Sequence, residues 1–181
     1  LTTGGGNVVI GYEALRDENV TEVVIIGARA GLYNSGNDNV IIGNQAGRNS
    51  GAGTNQVIIG HDAGRHATHD DVVIIGEDAG YYATGSYNTF VGKDAGKGGQ
   101  TTAPYSSGTF NTFIGYQSGQ AFTTGHQNTA IGVNALQALT TGEVNTALGT
   151  RAGLVLTEGS SNTFVGKDAG DSATVINEAV L

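Results

Sequence analysis

Three of the chain's four histidines and three carboxylates crowd into His61-Asp62-Ala63-Gly64-Arg65-His66-Ala67-Thr68-His69-Asp70-Asp71. Imidazole and carboxylate are the donor set of a divalent-metal site, and a threefold axis would gather three copies of one histidine. His61, His66 and His69 are the ligands such a site would use. The same residues suit a solvated loop, which is the preferred reading because His61 falls at a variable place in the repeat described below. A second acidic series, Glu13, Asp62, Asp78, Asp94 and Asp168, invites comparison with calcium-binding β-rolls. Those rolls need Gly-Gly-x-Gly-x-Asp nonapeptides, which the spacing here does not match. Other repeats put Arg29, Gln45, Gln117, Asn134 or Arg151 at the same place, so a solvent-facing edge is the better reading. No resident metal or other cofactor is expected.

Aromatic residues form the other chemical concentration. Tyr81, Tyr82, Tyr87, Tyr105 and Phe122 fall in the middle of the chain, with Tyr116 nearby. Aromatic faces on a polar surface suit stacking against sugar rings, so the first five are the candidate binding residues. Packing on neighbouring turns would account for them equally well. Enzyme signatures are absent: no nucleophile motif, phosphate loop or zinc pattern is present, and no enzymatic activity is expected. Gly-rich runs such as Gly92-Lys93-Asp94-Ala95-Gly96 read as turns of the repeat rather than phosphate cradles.

What must hold these groups is a repeat that fills almost the whole chain. Its motif glycines are Gly11, Gly27, Gly43, Gly60, Gly76, Gly92, Gly115, Gly132, Gly149 and Gly166, spaced by 16, 16, 17, 16, 16, 23, 17, 17 and 17 residues. With the motif glycine as position zero, Asn predominates at −4 and Val or Thr fills −3. Position −2 is Val9, Ile25, Ile41, Ile58, Ile74, Phe90, Phe113, Ala130, Ala147 or Phe164, and −1 is always Ile, Val or Leu. Ala stands at +3 except for Ser118, and Gly or Leu follows at +4. Short β-branched or aromatic runs bracketed by glycine read as strands between turns. A helix is excluded by the glycine frequency, each costing roughly 1 kcal/mol. The fold class is therefore all-β: a parallel β-solenoid of about ten coils, 16–17 residues each. Stacked at about 4.8 Å, ten coils make a rod on the order of 48 Å long.

Strand alternation puts −3 and −1 on one face and −4 and −2 on the other. The Val/Thr-plus-Ile face suits the inside of a narrow coil. The −2 series would then form an exposed apolar stripe, and a stripe of that size marks an interface. Val9, Ile25, Ile41, Ile58, Ile74, Phe90, Phe113, Ala130, Ala147 and Phe164 are accordingly the expected oligomer contacts, with three chains as the natural closure. Burying each is worth roughly 1.5–3 kcal/mol, enough in sum to exceed an association cost of roughly 4–15 kcal/mol. The −4 Asn column has two open readings, a hydrogen-bonded ladder along the stack or a local turn cap.

The pattern Asn128-Thr129-Ala130-Ile131-Gly132 with Ala135 resembles the head repeats of trimeric autotransporter adhesins, and similar runs with Thr-Thr-Gly turns occur in bacteriophage tail fibres. The resemblance spans about residues 1–170 and implies a left-handed, intertwined homotrimer. The repeat is longer here than in typical adhesin heads. What it implies is a structural and adhesive segment of a trimeric fibre that attaches to a host or cell surface through a glycan or protein receptor. Its setting would be extracellular, on a virion tail or a bacterial surface. A monomeric solenoid with a flat recognition face, such as an ice-binding protein, is the alternative. It ranks lower because Thr at −3 occurs only in the last five repeats and is expected to point inward.

The net charge of −8, with only eight scattered Lys and Arg, speaks against nucleic acid and anionic lipid as partners. No apolar run approaches the length of a membrane span, and direct membrane insertion is not expected. The 23-residue interval places a surface loop at about 97–110, with Pro104 and Tyr105. Leu1-Thr2-Thr3-Gly4 matches Leu139-Thr140-Thr141-Gly142, which reads as a start in mid-repeat of a longer array. Residues 171–181 read as a cap on the last coil or a linker to a following domain.

Overall fold

The computed structural model describes residues 5–16, 19–100, 102, 105–172 and 174–180. The Leu1–Gly4 match and Pro104 lie outside them. Ten three-residue strands follow one another: β1 (Val8–Ile10), β2 (Val24–Ile26), β3 (Val40–Ile42), β4 (Val57–Ile59), β5 (Val73–Ile75), β6 (Thr89–Val91), β7 (Thr112–Ile114), β8 (Thr129–Ile131), β9 (Thr146–Leu148) and β10 (Thr163–Val165). They form one parallel sheet in chain order, each residue paired with its equivalent one coil on, such as Ile41 with Ile58. The molecule is a β-solenoid, and among the described residues no helix is long and apolar enough to cross a membrane.

The motif glycine closes each strand for two physical reasons. Its φ lies between 121° and 144°, a region open to glycine. A Cβ on Gly43 would also sit 2.5 Å from the carbonyl oxygen of Gly60, because the coils stack at this corner backbone on backbone. Beyond it the chain turns through a +2 residue with φ between 52° and 60° and returns along a second wall. That return wall has its own ladder: Gly31 N donates to Ala46 O at 2.9 Å and Tyr33 N to Arg48 O at 3.0 Å. Its +3 and +7 side chains point inward, where Ala46, Ala67 and Leu139 are fully buried.

The strand faces are the reverse of the expectation. Ile25, Ile41, Ile58, Ile74, Phe90, Phe113, Ala130, Ala147 and Phe164 are fully buried inside a single chain, and Val9 is half-buried in the first coil. They are core residues and do not face a second chain. The −3 and −1 residues face outward instead, including Thr89, Thr112, Thr129, Thr146 and Thr163. Two causes fix this orientation. The first is the −4 Asn, whose amide belongs inside. Asn128 Oδ1 accepts from Asn145 N at 2.9 Å, while Asn128 Nδ2 donates to Gly142 O at 2.8 Å. A fully hydrogen-bonded amide is tolerated in the core. From coil 7 onward the amides also bond one another, as Asn145 Nδ2 does to Asn128 Oδ1 at 3.0 Å. Ladder and turn-tether are thus one arrangement.

The second cause is volume. Glycine at +4 leaves the hole into which the −2 side chain reaches; a Cβ on Gly96 would lie 2.5 Å from Phe90 Cδ1. Where −2 shrinks to Ala130, Leu136 and Leu139 fill the space from the return wall, and Leu156 does so opposite Ala147. Large and small residues alternate across the coil so that each layer is filled.

Residues of the C-terminal segment stack on the last coil. Thr163 N donates to Ala179 O at 2.7 Å, Ala179 N to Asn162 Oδ1 at 3.0 Å, and Glu178 takes the positive φ (57°) shared by every −5 residue before it.

Candidate binding site

The histidine-rich stretch and the tyrosines meet on the return wall of coils 3 to 6, where +5 and +6 face outward. Asn49 N donates to Arg65 O at 2.8 Å, His66 N to Tyr81 O at 3.1 Å and Tyr82 N to Lys97 O at 2.7 Å. This ladder stacks Arg48, Arg65, Tyr81 and Lys97 in one column and Asn49, His66 and Tyr82 in the next. The 97–110 insertion rejoins the stack at Ser106, which donates to Tyr82 O at 3.0 Å and bridges Ala83. The residue just before that bridge, Tyr105, is thereby laid against the column.

Four rings result. His66 lies 4.6 Å from Tyr105 and 5.8 Å from Tyr82, the latter pair nearly parallel at 12°. Tyr82 and Tyr105 are 5.8 Å apart at 25°, and Tyr81 tilts onto Tyr82 at 4.5 Å. Arg65 sits 5.4 Å over the Tyr81 ring and donates to the Tyr81 hydroxyl at 2.7 Å. Burial, then the charges of Arg65 and Arg48, hold the His66 pKa below the usual histidine range. His66 is therefore neutral near pH 7 and acts as a flat ring. Burial likewise raises the Tyr81 pKa.

Two expected members are elsewhere. Phe122 is fully buried, 5.4 Å from Phe90 and 5.5 Å from Phe113, so it is a core residue and not part of the surface. It replaces the small +7 residue of earlier coils. Tyr87 stacks on Phe110 at 4.8 Å in the exposed −5 column, with no ring contact to the cluster among the described residues. Conversely, Arg48, Arg65 and His66 as a ring partner are additions that only column-by-column stacking reveals.

His61, His66 and His69 do not converge. His66 belongs to the rings, and His69 is buried at −7, a corner where neighbouring coils place Gly53 and Gly85. Burial pushes the His69 pKa down to about 4, against the opposing pull of Asp70 and the Ala83 backbone. The one three-ligand gathering among the described residues is His61, Asp62 and Asp78, within 4.8 Å of one another. Its carboxylates already have cations: Arg65 is 3.4 Å from Asp62, and Lys97 is 2.9 Å from Asp78 and 2.8 Å from Asp94. Burial opposes the Lys97 ammonium, but hydrogen bonds to Asp94 and Asp78 outweigh it and hold its pKa at about 12. These groups are a salt-bridged edge with little left to offer a divalent ion. Comparison of the chain with family models, curated proteins and solved structures finds no match.

Proposed function

We propose that this chain is a structural and adhesive segment of a homotrimeric fibre that attaches to a cell-surface glycan or protein receptor from an extracellular setting, a phage tail or a bacterial surface. The observation that carries the reading is the outward face of the sheet. Val8, Ile10, Ile131, Leu148 and Val165 are each more than a third exposed, and Ile26, Ile42, Ile59 and Ile75 continue the row half-buried. A flat aliphatic strip along all ten coils favours a partner of the same length and periodicity, which another copy supplies. Three copies would present three ring clusters, so weak contacts add avidity. The return wall, which bears the rings, stays open when the sheet wall is covered.

A monomeric solenoid with a flat recognition face is a second reading, favoured by the outward Thr column of β6 to β10. Light scattering separates the two. The fibre reading expects three times 18.3 kDa and no thermal hysteresis; a monomer that depresses the freezing point supports the alternative.

A further inference from the structure

The ring cluster lies beside two cations whose placement exceeds what the fold requires. In a chain of net charge −8, Arg48 and Arg65 occupy consecutive rungs of one column, next to His66 in the adjoining column. Arg65 is shared between Asp62 and Tyr81. Arg48 has no carboxylate within ion-pair distance among the described residues, and its Nη1 reaches only Gln45 Oε1, at 3.4 Å. The Nε atoms of both arginines are buried without a hydrogen-bond partner. A guanidinium whose Nε is already buried and whose charge meets no anion is poised for one, and its planar fork matches a carboxylate through two parallel hydrogen bonds.

We infer that the surface formed by Arg48, Arg65, His66, Tyr82 and Tyr105 binds an acidic saccharide, a sugar ring lying on the aromatic rings with its carboxylate on Arg48. This rests on the adhesive reading and names its ligand class. The sugar's apolar face meets the His66–Tyr82–Tyr105 surface, which His66 joins uncharged. The carboxylate replaces the missing counter-ion of Arg48 and lies close enough to relieve the repulsion that both arginines exert on His66. Asp62 is paired with Arg65, and Asp78 and Asp94 share Lys97, which lessens their repulsion of the ligand.

The test is binding of the full chain to a panel of uronic- and sialic-acid oligosaccharides, their carboxyl-reduced counterparts and sulfated equivalents. At least one carboxylated sugar should bind about tenfold or more tightly than its reduced form. Arg48→Ala should erase that preference by weakening the carboxylated form far more than the reduced one; Arg48→Lys should restore only part of it. Tyr105→Ala should weaken both forms. The His66 titration, followed by NMR, should move up on binding. Equal affinity for carboxylated and reduced sugars, or an unchanged preference in Arg48→Ala, overturns the acidic assignment, equal affinity for sulfated ones overturns the choice of carboxylate, and each leaves the adhesive reading standing. No binding to any saccharide overturns the acidic assignment and removes the glycan support for adhesion as well.

Discussion

The two walls of each coil obey different rules. The sheet wall is nearly invariant: three residues, a motif glycine and the same outward pair of Val or Thr with Ile, Val or Leu, ten times over. The return wall keeps only its inward Ala and Gly and varies everything that faces water, from Arg48 to Tyr81 to Leu154. Repetition where the outward residues are apolar points to a seam running the length of the rod. Variation where they are polar and aromatic points to recognition local to a few coils. One strand therefore has an inner face that folds the chain and an outer face available for association.

Substitutions at alternate residues of one strand should differ most. Ile41→Asp puts a carboxylate into a fully buried layer and should cost more than about 4 kcal/mol, read as loss of the cooperative unfolding transition. Its neighbour Ile42→Asp should leave the β circular dichroism intact. If the two behaved alike, the division between the strand's faces would be wrong.

Gly43→Ala comes next. It forces a Cβ to 2.5 Å from Gly60 O at φ 136° and should cost about 3 kcal/mol in denaturant unfolding, whereas Gly5→Ala, which meets open space, should cost far less.

The buried His69 gives a pH signature of similar size. Its folded pKa, about 4, lies below the ordinary 6.5, so the unfolded chain binds the extra proton between those values. Stability is then complete above about pH 6.5 and falls as pH drops towards 4, by up to about 3 kcal/mol. His69→Gly, the residue of the equivalent corners in neighbouring coils, should flatten that slope when Tm is followed against pH.

Asn145→Ala strips partners from Asn162 N, Asn162 Nδ2 and Gly159 O, and about 2 kcal/mol of loss is expected in chemical denaturation. The smallest effect is on the exposed corner: Tyr87→Ala removes only the stack on Phe110 and should change stability by less than about 1 kcal/mol.

Much of the architecture was legible because periodicity is. The spacing of motif glycines gives coil length, strand position and corner, and all three match the structure. Which strand face turns inward was not legible from alternation alone. Alternation puts Asn145 on the same face as −2, the face expected to turn outward; the partners that hold it inside, Asn128 Oδ1 and Gly159 O, sit in neighbouring coils. A signal was present in the columns: −2 is large where +4 is Gly and +7 small, and Ala130 coincides with Leu136 and Leu139. Such compensation is expected only of residues that share a core. At the site, Tyr81, Tyr82 and Tyr105 come together as neighbours along the stack, while Phe122 reads as one more surface aromatic until its column is seen to point inward. Arg48 is recognisable only once coils 3 and 4 are stacked.

In the proposed fibre the outward −3/−1 face joins chains and the inward −2 face does not. Native mass measurement of the wild-type chain beside Ile42→Asp/Ile59→Asp tests it directly. The wild type should appear at three times 18.3 kDa and the double variant, still folded, at 18.3 kDa. A wild-type monomer, or a trimer that survives both aspartates, would contradict it.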